Sequence, residues 1–227
     1  MMISFVKDVQ VVLEKKKLQQ VKARVALVLD ITGSMRPYYK NGTVQKVVER
    51  ILAVASQFDD DQTLDVWVYD HRFSRLPSVT EQDFENYVNR AILENAAVEK
   101  FGRNDEPLVM RDIIAKYTQE EPSSLPTYIT FINDGGVKKG ANEAGDSVQK
   151  LIIESATKPL FWQFVGIGNA DFGVLKKLDT IEGRFVDNAN FFQIDNIDTI
   201  SNAALYDLLL NEFPLWLEEA KQKGVLA

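Results

Sequence analysis

The chain has 227 residues, 45% of them hydrophobic, enough for one sizeable core at a length where α/β domains commonly stay single. Its 33 acidic and 26 basic side chains give a formal net charge of −7 without any block of five like charges, which argues against nucleic acid or an anionic membrane as partner. Cysteine is absent and histidine occurs once, at His71, which excludes disulfides, thiolate catalysis and Cys- or His-cluster zinc sites and favours a cytoplasmic setting.

Residues 1–20 mix Lys, Asp and Glu into their apolar positions and contain no uninterrupted apolar stretch of signal-peptide length. The spacing of Val9, Val12 and Leu13 predicts a helix or arm packed on a domain that occupies residues 21–227, with "EKKK" as its solvated face. "RVALVLD" (24–30) predicts a first strand, continuous in apolar character as a strand buried on both faces should be. Residues 44–58 place Val44, Val47, Val48, Ile51 and Ala55 on one helical stripe, and Thr43 after "NG" is in place to cap that helix. "LDVWVYD" (64–70) alternates Leu64, Val66 and Val68 with Asp65, Trp67 and Tyr69, which predicts a strand nearer the sheet edge. "HRFSRL" (71–76) fits an antiparallel return at that edge, and His71 in it reads as a solvated loop residue.

Helical spacing recurs over residues 108–117 and 147–156, flanking a third strand, "TYITFIND" (127–134). "FWQFVGIG" (161–168) and "FFQI" (191–194) complete the strands, with Phe161, Trp162, Phe164, Phe191 and Phe192 as core. "GIGNADFG" lacks the third glycine of a dinucleotide fingerprint at the required spacing. A last helix spans about residues 199–223, kinked or divided by Pro214. Alternating strands and helices predict an α/β fold, a doubly wound, mostly parallel sheet with helices on both faces. No run approaches the roughly 18 apolar residues of a membrane span.

Two strand ends carry chemistry. Asp30 closes the first strand, and Thr32 and Ser34 follow at two-residue steps around Gly33, which can aim both hydroxyls at one point. Asp134, followed by Gly135 and Gly136, ends a second buried strand in the same manner. Ligands of doubly wound sheets bind beyond the carboxyl ends of the strands. Two carboxylates and two hydroxyls there are hard oxygen donors, suited to Mg2+, Mn2+ or Ca2+ and not to soft metals. The competing reading, a helix-capping turn, leaves the motif unexplained, because the helix pattern begins nearer Thr43. Met35, Arg36, Tyr38 and Tyr39 fall at the rim, in position to touch a partner.

The run Asp30-x-Thr32-x-Ser34, with Asp134-Gly135 later, resembles the metal-ion-dependent adhesion site of von Willebrand factor type A domains. "GRNDEPLVMRDII" (102–114) and "PLFWQFVGIGNADFGVLKKLD" (159–179) resemble the bacterial tellurium-resistance and stress-response branch of that family. The resemblance runs from about Val21 to the C-terminus. It implies a Rossmann-like six-stranded sheet with one antiparallel edge strand. It also implies a Mg2+ or Mn2+ site with Asp30 and Ser34 as ligands, Thr32 nearby, and Asp134 binding directly or through water. Thr32 stands where the family usually has serine, which keeps the hydroxyl. The family's loop threonine has no counterpart: the corresponding region offers Asn104 or Asp105 as an oxygen donor and Arg103 as a group that would repel a cation.

The function implied is a protein-binding module in a stress or tellurium-resistance system, whose cation accepts an acidic residue of a protein partner. Two other classes remain. Asp30 with Mg2+ suits the nucleophile of a phosphohydrolase, although Thr32 occupies the place of the second aspartate that chemistry uses. Alternatively, the domain is structural and its metal site vestigial.

Overall fold

Six strands form one sheet in the order β3-β2-β1-β4-β5-β6. They are β1 (Arg24–Asp30), β2 (Leu64–Tyr69), β3 (Phe73–Val79), β4 (Thr127–Asn133), β5 (Leu160–Ile167) and β6 (Ala189–Ile194). All neighbours run parallel except β3, which returns antiparallel on β2 at the edge. This computed structural model describes residues 2–59, 62–138 and 140–227.

The period-two geometry of a strand divides the apolar side chains between two layers. Val25, Leu27 and Leu29 of β1, with Tyr128 and Ile132 of β4 and Phe161 and Val165 of β5, face one layer of helices. That layer comprises α1 (Met2–Lys15), α2 (Arg36–Lys40), α3 (Thr43–Phe58), α6 (Asn202–Leu209) and α7 (Phe213–Gln222). Ala26, Val28, Ile129, Phe131, Trp162 and Phe164 face α4 (Glu106–Ala115), α5 (Val148–Ser155) and a 3₁₀ segment, Gly173–Thr180. Continuous apolar runs therefore became doubly covered strands, as the sequence implied. The alternation in β2 has a different origin: Trp67 and Tyr69 are buried, and the Trp67 indole donates to Asp112 Oδ2 at 2.9 Å. The strand does lie one place in from the edge.

Helix boundaries show what spacing alone missed. Ser147 and Ser201 cap α5 and α6 by accepting the backbone N–H groups of Lys150 and Ala204. Thr43 is not a cap: Gly42, at φ +82°, precedes α3, and Thr43 donates its own N–H to Asn41 Oδ1 at 3.0 Å. The C-terminal helix is divided into α6 and α7, with Pro214 in the first turn of α7, where its missing N–H costs nothing. α1 lies across α3 and α6, and Asn202 Nδ2 donates to Asp8 Oδ2 at 2.9 Å.

Candidate metal centre

The strand order reverses between β1 and β4, so their carboxyl ends form the switch point at which doubly wound folds open a crevice. Asp30 and Asp134, 100-odd positions apart in the chain, meet there through the pairing of β1 with β4. Asp30 is fully buried; its Oδ1 accepts the N–H of Thr32 at 2.7 Å, while Oδ2 has no hydrogen-bond partner among the described residues. Thr32 Oγ1 and Ser34 Oγ lie 3.2 Å apart, and Ser34 Oγ donates to Asp134 Oδ1 at 2.9 Å. Asp30, Thr32, Ser34 and Asp134 are thus one connected group.

The turn that makes this possible is a 3₁₀ segment, Gly33–Met35, running directly into α2. A helical turn therefore follows the motif at once, rather than starting near Thr43. Thr32 occupies its N-cap position but makes no side-chain cap bond, so the hydroxyl is left to Ser34. Gly33 keeps a negative φ and donates to Gly102 O at 3.2 Å. Gly136 also keeps a negative φ; its need is space, because a Cβ would stand 2.8 Å from Asp171 O. Met35 and Tyr39 are buried rather than at the rim, and the Tyr39 hydroxyl donates to Asp30 O at 3.0 Å. Arg36 is exposed and stacks over the Phe101 ring.

Burial dominates the electrostatics. It pushes the Asp30 carboxyl up to about 7; Thr32 offsets part of this by hydrogen bonding, and the charges of Asp134 and Glu106 add to it. Asp134 is also raised, chiefly by burial. Across the strand ends, Tyr69 pairs with Asp30, and Asn133 ends the neighbouring β4. Tyr69 Oη, Asp30 Oδ2 and Asn133 Oδ1 are all buried without partners among the described residues. Orphaned buried polar atoms of this kind ask for an unseen ligand. Among the described residues no cluster of three His, Cys, Asp or Glu forms a metal cage. The donors are instead carboxylates and hydroxyls, a hard-oxygen set that fits Mg2+, Mn2+ or Ca2+.

Asn104 and Asp105 are not drawn into that group. Asn104 Nδ2 donates to Glu106 Oε1 at 2.9 Å, and Asp105 accepts from Lys138 Nζ and Asn142 Nδ2, each at 3.3 Å. Arg103 is exposed and lines, with His71, Lys138 and Asn142, an open cavity of about 640 Å³ beside the site. The loop is anchored by Asp70. Burial works against the Asp70 charge, but bonds from Arg72 and from the Gly102 N–H hold its carboxyl below the usual range. His71 Nδ1 stands 3.5 Å from Asp70 Oδ1, but His71 is exposed and both Asp70 oxygens are already engaged by Arg72 and Gly102.

Spacing gave no notice of Glu106, which is fully buried and whose Oε2 accepts the Lys138 N–H at 2.9 Å. Asp105-Glu106-Pro107 carried the signal: an acidic residue and a proline in the first turn mark a helix start, two residues ahead of the apolar stripe. A Cβ on Gly102 would come within 2.6 Å of the fixed Asp70 Oδ2, so Gly102→Ala should displace this loop and cost about 1–3 kcal/mol. A urea midpoint equal to wild type would contradict the anchoring role.

Residues 22–226 match the family model described as "vWA-TerF-like: vWA found in TerF C terminus". The chain belongs to the vWA-TerF-like family. A Bacillus subtilis (strain 168) relative, "Uncharacterized protein YcbR", is 63% identical over 220 residues, covering 97% of this chain and 88% of that protein. Among solved structures, proximal thread matrix protein 1 from the mussel byssus superposes with a TM-score of 0.59 at 14% identity, over 84% of this chain and 47% of its own. A second structure of the same mussel protein, titled "with zinc occupied MIDAS motif", gives 0.55 at 13% identity, over 88% and 48%. This vWA-TerF-like chain spans about half the length of those structures, and at such identities they show the fold alone. No helix among its described residues is long and apolar enough to cross a membrane.

Proposed function

We propose that this chain is a metal-ion-dependent protein-binding module of a bacterial stress-response or tellurium-resistance system, and that its partner presents an acidic residue. The observation that carries the reading is the connected group Asp30, Thr32, Ser34 and Asp134, with the partnerless Asp30 Oδ2 beneath it. These residues would hold Mg2+, with Mn2+ or Ca2+ as substitutes. A cation held by hydroxyls and few carboxylates supplies a Lewis-acidic position for an outside carboxylate. The chain's own part is positional: β1 and β4 fix the two acids, and the Gly33–Met35 turn presents Ser34 at the surface. Residues 21–227 constitute the module, with residues 1–20 as an accessory helix, and the lack of cysteine suits a cytoplasmic address.

Binding is favoured over phosphoryl chemistry because Asp30 is fully buried, which denies a nucleophile its line of attack, and because Thr32 stands where that chemistry places its second aspartate. Calorimetric titration with Mn2+ or Mg2+ should show one saturable site, and an acidic peptide should bind only when the cation is present, with EDTA reversing it. Peptide binding indifferent to EDTA, or no cation binding at millimolar metal, would overturn the reading.

A further inference from the structure

We propose that Glu106 is the third loop's contribution to the cation site: an outer carboxylate that tightens the hold on a divalent cation and weakens that cation's pull on a partner's carboxylate. This rests on the reading of Asp30, Thr32, Ser34 and Asp134 as a cation site. Glu106 is fully buried, yet among the described residues no lysine or arginine forms an ion pair with it. Its two oxygens accept from Asn104 Nδ2 and from the N–H of Lys138, each at 2.9 Å. Burial pushes the Glu106 carboxyl up, and acceptance at both oxygens opposes that shift and suits the ionised form, which has no proton to donate. As the first residue of α4, Glu106 also sits at the positive end of that helix.

Those two bonds tie the loop before α4 to the loop after Asp134, so Glu106 joins two of the segments that surround the site. The loop before α4 lies against both neighbouring strand ends: the Gly33 N–H donates to Gly102 O at 3.2 Å and the Asp105 N–H to Asp70 O at 3.1 Å. Glu106 is thus a fully buried acid on a segment adjoining the one that carries Asp30, whose Oδ2, with Tyr69 Oη and Asn133 Oδ1, lacks a partner among the described residues. Uncompensated buried charge is costly, and a divalent cation would offset it. The same negative charge that draws the cation in leaves it less electrophilic toward an outside carboxylate. A carboxylate that only tethered loops would have neither effect.

Glu106→Gln separates the two roles: it keeps the shape and removes the charge, its oxygen can still accept the Lys138 N–H, and its new NH2 is accommodated if the Asn104 amide turns over to accept from it. Mn2+ calorimetry on the full chain should show the variant binding about tenfold or more weakly, the range seen when groups behind metal ligands are changed. Acetate titrated at saturating Mn2+ should bind the variant more tightly than wild type. Mn2+ affinity equal to wild type overturns the proposal, and so does a parallel weakening of Mn2+ and acetate, the mark of a merely loosened loop. Should Glu106→Gln not fold by circular dichroism, Glu106→Asp keeps the charge but draws it back by one methylene. That variant must still weaken Mn2+ binding, and unchanged affinity there overturns the proposal equally. Absence of Mn2+ binding in the wild type would overturn the cation-site reading itself, an outcome distinct from a wild type that binds and a variant that matches it.

Discussion

Asp30→Asn should abolish saturable cation binding while making the cation-free fold more stable. The two effects share one cause. Asp30 is fully buried, one of its oxygens is without a partner, and burial raises its carboxyl from 3.8 to about 7. A carboxyl raised in this way favours the folded state fully below the unfolded value near 4, and that benefit is lost as pH climbs toward and past 7. At ~1.4 kcal/mol per pH unit, the ionised group costs the folded protein on the order of a few kcal/mol at neutral pH. Asparagine keeps an oxygen for the Thr32 N–H and carries no charge to bury. In EDTA, then, the urea midpoint of Asp30→Asn should exceed that of wild type at pH 7.5, and the gap should close toward pH 4. Other acids titrate in both proteins, so the difference between the two curves isolates Asp30. A variant less stable than wild type at pH 7.5, or one that still shows a Mg2+-dependent rise in melting temperature, would refute the assignment.

Phe213→Ala should carry the largest cost in stability. Phe213 is fully buried at the start of α7, with ring centroids 5.7 Å from Phe58, 5.0 Å from Tyr128, 5.6 Å from Phe161 and 5.6 Å from Trp216. It joins β4, β5, α3 and α7 in one aromatic cluster. Truncating a buried phenylalanine costs about 3–5 kcal/mol, the transfer of its ring plus the cavity left behind. Against a typical total of about 5–15 kcal/mol, that leaves the fold near its threshold. Denaturant unfolding should show a much lower midpoint with an unchanged slope. A loss below about 1 kcal/mol would mean that the cluster collapses around the gap and is not the anchor of α7.

Most of the fold was legible because burial on both faces leaves a continuous apolar signature, as in "RVALVLD" and "TYITFIND". The mostly parallel sheet with helices on both faces followed from the strand–helix alternation, and the antiparallel β3 from the short segment after β2. Asp30, Thr32, Ser34 and Asp134 were legible as a set because strand ends and two-residue steps fix where their oxygens point. The loop at 102–106 was not. Asn104 and Asp105 have suitable chemistry, but Asn104 is taken up by Glu106, Asp105 by Lys138 and Asn142, and the loop at Gly102 by Asp70, mostly partners distant in sequence and invisible to local spacing. Trp67 and Tyr69 led to the right place near the edge, although they are buried there. Asp112 of α4 and Tyr117 of the helical segment that follows it cover that face of β2.

The bond between Asp8 and Asn202, with those of Lys15 and Lys16 to Asp207, brings opposite reaches of the chain onto one face of the molecule. During synthesis α1 and α3 emerge long before α6 and α7, so the apolar surface around Val9, Val54 and Phe58 waits for roughly 150 further residues before its lid arrives. Long-range closure of this kind slows folding and exposes adhesive intermediates. A nascent chain stalled before residue 202 would therefore be a strong client for holding chaperones, whereas the released full-length chain would shed them.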